Sequence, residues 1–160
     1  MQKPTVLIID DEEDIVFTIQ EICNFAGYQS LTASNGQEGY EKYKKHKPDL
    51  VIVDFHMPGW DGLNTVKKLK ALDETVAILV LTVDERQEVS DRFIEVGATD
   101  FAIKPIKAPD LIARIKVNMK ISQIQKDAKR AKESVFVEKG ISTATLTLID
   151  TFLRAQTGEL

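Results

Sequence analysis

The sequence predicts a parallel α/β sheet of five strands alternating with five helices. Two observations carry this. Short apolar, β-branched runs such as Thr5–Ile9, Leu50–Val53 and Val76–Leu81 are too short for helices and lack the alternation of half-exposed strands, as expected of strands buried on both faces. Between the runs lie segments whose apolar residues recur with helical period, which is the α/β pattern. Right-handed crossovers limit the topologies, although pattern alone leaves strand order open.

Thr5–Ile9 reads as the first strand and ends on Asp10-Asp11. From Asp14 to Ala26, Ile15, Val16, Ile19, Ile22, Cys23 and Ala26 define a helix, which Gly27 stops. Tyr28–Ala33 is the second strand. Ser34-Asn35-Gly36-Gln37 has a capping-box pattern and opens a helix running through Tyr40 and Tyr43 to about His46, ended by Pro48. Leu50–Val53 is the third strand, stopping abruptly at the carboxylate of Asp54. A loop with Pro58, Gly59 and Gly62 follows, then a helix from Leu63 to Leu72. Val76–Leu81 ends on Thr82, Glu85–Val96 is helical with Gly97 as its stop, and Phe101–Ile103 ends on Lys104-Pro105. Pro109 suits the first turn of a fifth helix beginning at Asp110.

A chain of 160 residues accommodates one ordinary domain and an appendage. With 43% apolar and 29% charged residues it has a globular composition, and no apolar run approaches the ~18 residues of a membrane span. No signal-peptide apolar region precedes the first strand, and the single cysteine, Cys23, reads as core packing; both point to the cytoplasm. Charge is divided unevenly: residues 1–106 carry a net −8, and residues 107–132 a net +6. The acidic part does not suit a nucleic-acid surface; the basic part reads first as a solvated helix face, with a nucleic-acid surface as the alternative.

In a parallel sheet, ligands bind beyond the carboxyl ends of the strands, which is where Asp10, Asp11, Asp54, Thr82 and Lys104 all fall. Asp54 alone could be a strand-end turn residue, and the acidic run Asp10–Asp14 could simply favour a helix N-terminus. Taken together, Asp54-Phe55-His56-Met57-Pro58-Gly59-Trp60-Asp61-Gly62, the acidic pair, Thr82 and Lys104-Pro105 resemble the response-regulator receiver domain over about residues 4–120. The resemblance implies a flavodoxin-like (βα)5 fold with strand order 2-1-3-4-5, which sets the first and third strands side by side. It implies that Asp54 is phosphorylated by a sensor histidine kinase. It further implies Mg²⁺ on Asp10, Asp11, Asp54 and the backbone carbonyl of His56, with Glu12 a weaker candidate toward the metal's waters. Three carboxylates crowded together do need a cation, and hard oxygen ligands suit Mg²⁺. Lys104 becomes the cation that offsets phosphoryl charge, through a cis Lys104–Pro105 bond. Thr82 becomes the switch hydroxyl and Phe101 the switch aromatic. His56 and Asp84 occupy the positions that tune phosphate lifetime.

Two positions depart from the commonest family pattern. Val83 stands where a smaller residue is usual and is expected to narrow access to Asp54, and the aromatic at 101 lacks a hydroxyl. Enzymes of similar fold fit poorly. Aspartate-nucleophile phosphatases want a second Asp two residues after the first, where His56 stands, and a flavin carrier wants a Ser/Thr/Gly-rich loop in place of the acidic run. The expected role is that of a phosphoacceptor signalling protein, not an enzyme acting on a separate substrate.

Beyond residue 120, Val117, Ile121, Ile124, Ala128, Ala131 and Val135 follow a 4-3-4-3-4 spacing. This predicts a linker helix over 121–138 that pairs as a parallel homodimer, with a solvated linker as the alternative. Gly140 breaks it, and a second amphipathic helix follows over Thr143–Ala155. Lys139–Leu146 resembles the opening of the output domain of citrate/malate-type regulators, so 139–160 is expected to begin a domain that continues past this chain. DNA contact would rest with that domain alone, and an output acting through protein partners is the alternative.

Overall fold

The computed structural model describes residues 2–140 and 142–157. The elements run β1 (Thr5–Ile9), α1 (Glu13–Phe25), β2 (Gln29–Ala33), α2 (Gly36–His46), β3 (Leu50–Asp54), α3 (Gly62–Leu72), β4 (Ala77–Thr82), α4 (Gln87–Glu95), β5 (Asp100–Ile103), α5 (Ala108–Glu138) and α6 (Thr143–Thr157). The five strands form one parallel sheet in the order β2-β1-β3-β4-β5, as the resemblance implied. Residues 1–122 and 123–160 form separate compact units.

Strands β3 and β4 are buried along their whole length, which explains their unbroken apolar runs. Successive side chains point to opposite faces and build two cores. Leu7, Ile9, Val51, Val53, Ile78 and Val80 meet Tyr43 of α2, Val66 and Leu69 of α3, and Phe93 of α4. Val6, Ile8, Leu50, Ile52, Leu79 and Leu81 meet Ile19 and Cys23 of α1, and Leu111 and Ile115 of α5. Burial drives the Cys23 thiol up to about 11, in keeping with a packing role.

Several ends differ from the sequence expectation. The α2 cap sits one residue later than Ser34: Asn35 is the N-cap, and its side chain accepts from the Glu38 N–H at 2.9 Å. Glu38, not Gln37, closes the box by accepting from the N–H and hydroxyl of Ser34 at 2.9 and 2.8 Å. Helix α4 begins at Gln87 instead of Glu85, because Asp84 accepts from the backbone and guanidinium of Arg86 and holds that stretch as a loop. The third strand takes in Asp54, and α6 extends to Thr157. Ser142 opens α6, accepting from the Thr145 N–H at 3.2 Å, and Gly140 ends α5 with φ +78°. Of the segment compared with citrate/malate-type regulators, Ile141 lies outside the described residues, as do Gly158–Leu160 of the expected output region.

The Glu38 cap gives a pH-dependent prediction. Lys42 first, then the two Ser34 donors, lower the Glu38 carboxyl to about 2. A depressed carboxylate contributes stability above its unfolded value, and that contribution fades as pH falls from about 4.5 toward 2. Glu38→Gln is expected to cost about 0.5–1 kcal/mol at pH 7, kept small by solvent screening, and next to nothing near pH 2. Urea denaturation at the two pH values checks this.

Candidate functional site

The carboxyl ends of β1, β3, β4 and β5 bring together residues scattered from 10 to 104 in the chain. Pairing of β1 with β3 aligns Ile9 with Val53, so the residues that follow each, Asp10 and Asp54, stand side by side. Asp10 and Asp54 are 3% and 4% exposed, whereas Asp11 is open to solvent. Carboxylate oxygens of Asp10, Asp11 and Asp54 all lie within 4.8 Å of one another. Such an all-oxygen, triply anionic set suits a hard divalent cation. The Glu12 side chain is exposed, and its backbone N–H donates to Asp10 at 2.9 Å, fixing that carboxylate's orientation.

Lys104 enters from the end of β5. Its Nζ lies 2.8 Å from Asp54 Oδ1 and 3.3 Å from Asp10 Oδ2. The Lys104 N–H donates to the Thr82 carbonyl at 2.7 Å, and the Lys104–Pro105 bond is cis. Burial pushes the Asp54 carboxyl up; Lys104 pulls it down, but Asp10 and Asp11 push it further up. Burial opposes the Lys104 charge, and its bonds to Asp54 and Asp10 outweigh that, so the ammonium is held above its usual range. One lysine against three ionised carboxylates leaves two negative charges uncompensated.

Backbone hydrogen bonds tie the loop after Asp54 to the sheet and to itself. Phe55 N–H donates to the Leu81 carbonyl at 2.8 Å, and Gly62 N–H to the Phe55 carbonyl at 2.9 Å. Asp61 caps α3 by accepting from Asn64 N–H at 2.8 Å. A Cβ on Gly62 would sit 2.7 Å from Phe55 Cα and 2.8 Å from the Asp54 carbonyl oxygen. His56 is exposed, with its ring tilted against Phe55 at 4.5 Å, and Phe55 sets its edge on Phe93 at 4.9 Å.

Thr82 is 1% exposed, and its hydroxyl oxygen accepts from the Asp84 N–H at 3.0 Å. Arg86 clamps the Asp84 carboxylate, holding it down to about 2, with His56 adding a smaller pull. Phe101 is half-buried against the core of the α2–α4 face. Its N–H donates to Asp100, which also binds Arg114 and Asn118 of α5 at 2.7 and 3.2 Å. Val83 is 62% exposed. Neither the Arg86 clamp nor the Asp100 link to α5 carries a sequence signal, since each depends on side chains meeting in space.

A buried aspartate, a lysine across from it, an acidic cluster and a strand-end hydroxyl thus meet at one edge of a five-stranded parallel sheet, the arrangement expected of a receiver domain. The chain belongs to the response regulator receiver domain family, whose profile matches residues 6–116. It is 34% identical over 116 residues to the transcriptional regulatory protein PrrA of Mycobacterium tuberculosis, covering 71% of this chain and 49% of that one. It is 30% identical to the sporulation initiation phosphotransferase F of Bacillus subtilis, covering 72% and 94% respectively. Among solved structures, the CheX-CheY-BeF3-Mg complex of Borrelia burgdorferi aligns with TM-score 0.68 and 26% identity, covering 70% of this chain and 86% of that one. The chain thus spans about half of the transcriptional regulator (49%) and nearly all of the phosphotransferase (94%). Among the described residues no helix is long and apolar enough to cross a membrane.

Proposed function

We propose that Asp54 accepts a phosphoryl group from a sensor histidine kinase and that residues 4–120 act as the switch. The observation that carries this is the buried Asp54 carboxylate held at 2.8 Å by Lys104 beside two further aspartates. An Asp54 oxygen attacks phosphorus, the new O–P bond forms as the donor's N–P bond breaks, and the departing imidazole takes up a proton. Lys104 offsets charge spreading over the phosphoryl oxygens. Asp10, Asp11, Asp54 and the His56 carbonyl would hold Mg²⁺, and that ion, when bound, supplies further neutralisation of the same charge. The Mg and BeF3 of the Borrelia burgdorferi CheY complex support this assignment, as does the all-oxygen donor set.

A phosphoryl group offers the Thr82 hydroxyl a charged acceptor, stronger than any partner it has at rest. Thr82 then leaves the Asp84 N–H, and Phe101 moves inward behind it. Through Asp100, Arg114 and Asn118 that movement reaches α5. His56 and Asp84 flank the phosphoryl position and would set how long it survives.

PrrA supports transcription regulation as the output of a longer protein, with 121–138 as helical linker and 139–160 opening an output domain that alone would meet DNA. The match to nearly all of a phosphotransferase favours a second reading, a module that acts through protein partners. Either role belongs in the cytoplasm, where histidine-kinase phosphoryl groups and Mg²⁺ are available. Intact-mass measurement after acetyl phosphate and Mg²⁺ tests the reading. One added phosphoryl group is expected, absent in Asp54→Ala and in EDTA; no addition to the wild type under any condition overturns it.

A further inference from the structure

Helix α5 has two distinct faces. Leu111, Ile115, Asn118 and Ser122 are its buried residues. At ~100° per residue, Val117, Ile121, Ile124, Ala128, Ala131 and Val135 fall within a stripe about 80° wide, centred roughly 130° from the buried line. The second line is therefore not a continuation of the core face. Val117, Ile124 and Val135 are 56%, 67% and 49% exposed, Ala128 and Ala131 are exposed, and only Ile121 is partly covered. Single exposed apolar residues are ordinary; six at 4-3-4-3-4 spacing are a coiled-coil seam.

We infer that this seam pairs with a second copy of the chain as a parallel, two-stranded coiled coil. A 3.5-residue period is matched only by another helix of the same period, and a second copy has it by identity. A two-fold axis along the helices sets each seam residue opposite itself, so the small Ala128 and Ala131 layers meet small partners and the large layers meet large ones. Charge fixes the direction. With Ile121, Ala128 and Val135 at a positions, Asp127 falls at g and Lys132 at e, which meet across a parallel pair, twice by symmetry. Lys120 at g faces the neutral Gln125. An antiparallel pairing of the same seam would set Asp127 against Asp127 of the second copy.

Two alanine layers and a net charge of +6 over residues 107–132 make this a weak dimer that tightens as salt screens the repulsion. The pairing uses no residue of the Asp54 site and stands independently of phosphoryl transfer. Helix α6 exposes Leu148, Ile149, Phe152 and Leu153, so a dimer through α6 is the competing outcome.

Sedimentation equilibrium of the 160-residue chain from about 5 to 500 μM is expected to show a monomer–dimer equilibrium, stronger at high salt. Ile124→Lys should weaken it at least about tenfold, with helical circular dichroism and thermal transition unchanged at about 5 μM, where the weak dimer has dissociated and Ile124 lies in solvent. Ala131→Cys should form an inter-chain disulfide on air oxidation while the wild type, whose Cys23 is buried, does not. An antiparallel pair would hold the two 131 positions about 15 Å apart, beyond disulfide reach. A monomer throughout, a dimer indifferent to Ile124→Lys, or a dimer without the 131–131 disulfide overturns the proposal.

Discussion

Lys104→Ala is expected to slow phosphorylation of Asp54 by acetyl phosphate at least about 100-fold, the loss of some 2.7 kcal/mol of transition-state stabilisation. The reason is geometric: Lys104 is the ammonium that bridges Asp54 and Asp10, at 2.8 and 3.3 Å. Removing it leaves Asp10, Asp11 and Asp54 as three neighbouring carboxylates without that cation. Mg²⁺ should then bind several-fold more tightly, because it no longer competes with a resident positive charge. These opposite movements distinguish an electrostatic role from a structural one. If Lys104 merely kept the strand ends together, Mg²⁺ affinity would fall along with the rate. Mass-resolved time courses and titration calorimetry supply the two readouts, and stability in EDTA should drop and recover on adding Mg²⁺.

Gly62→Ala is expected to destabilise the receiver by more than about 2 kcal/mol, lowering Tm by roughly 6–10 °C. The new methyl would lie 2.7 and 2.8 Å from the Phe55 Cα and Asp54 carbonyl oxygen. Both are backbone atoms at the end of a buried strand, so no rotamer change relieves the contact. Either α3 lifts from the sheet or the strand end moves, taking the Asp54 carboxylate away from Lys104. Phosphorylation should therefore slow as well. Gly27→Ala makes the comparison: φ is +88° but no atom lies within 4 Å, so the cost is conformational, about 1 kcal/mol, and labelling should continue. Thermal melts and acetyl phosphate labelling of both variants check the contrast.

Buried strands and amphipathic helices were legible in the sequence because burial imposes apolar runs and periods that survive without coordinates. Asp10, Asp54, Thr82 and Lys104 were legible for a related reason, each being a polar residue at the point where such a run stops. What escaped depended on side chains meeting in space. Two acceptable caps stood next to each other before α2, and Glu38 reaching Ser34 decided between them. The Arg86 hold on Asp84 delays α4 through residues two apart, a spacing with no helical signature. Asp100 meets Arg114 and Asn118 only because β5 and α5 lie together. The steric demand at Gly62 comes from the preceding loop folding back on itself.

The hydrogen bond from the Asp84 N–H to the Thr82 hydroxyl has a consequence for signal fidelity. It is a neutral bond of ordinary length, worth about 1 kcal/mol net. If that bond were all that separated the resting and responding arrangements proposed for Thr82, it would favour rest only about fivefold, and roughly one unphosphorylated molecule in six would hold the responding arrangement. In the proposed switch, the hold of Arg86 on Asp84 would then set the background output, and a cell holding many copies would hear a constant murmur beneath every stimulus.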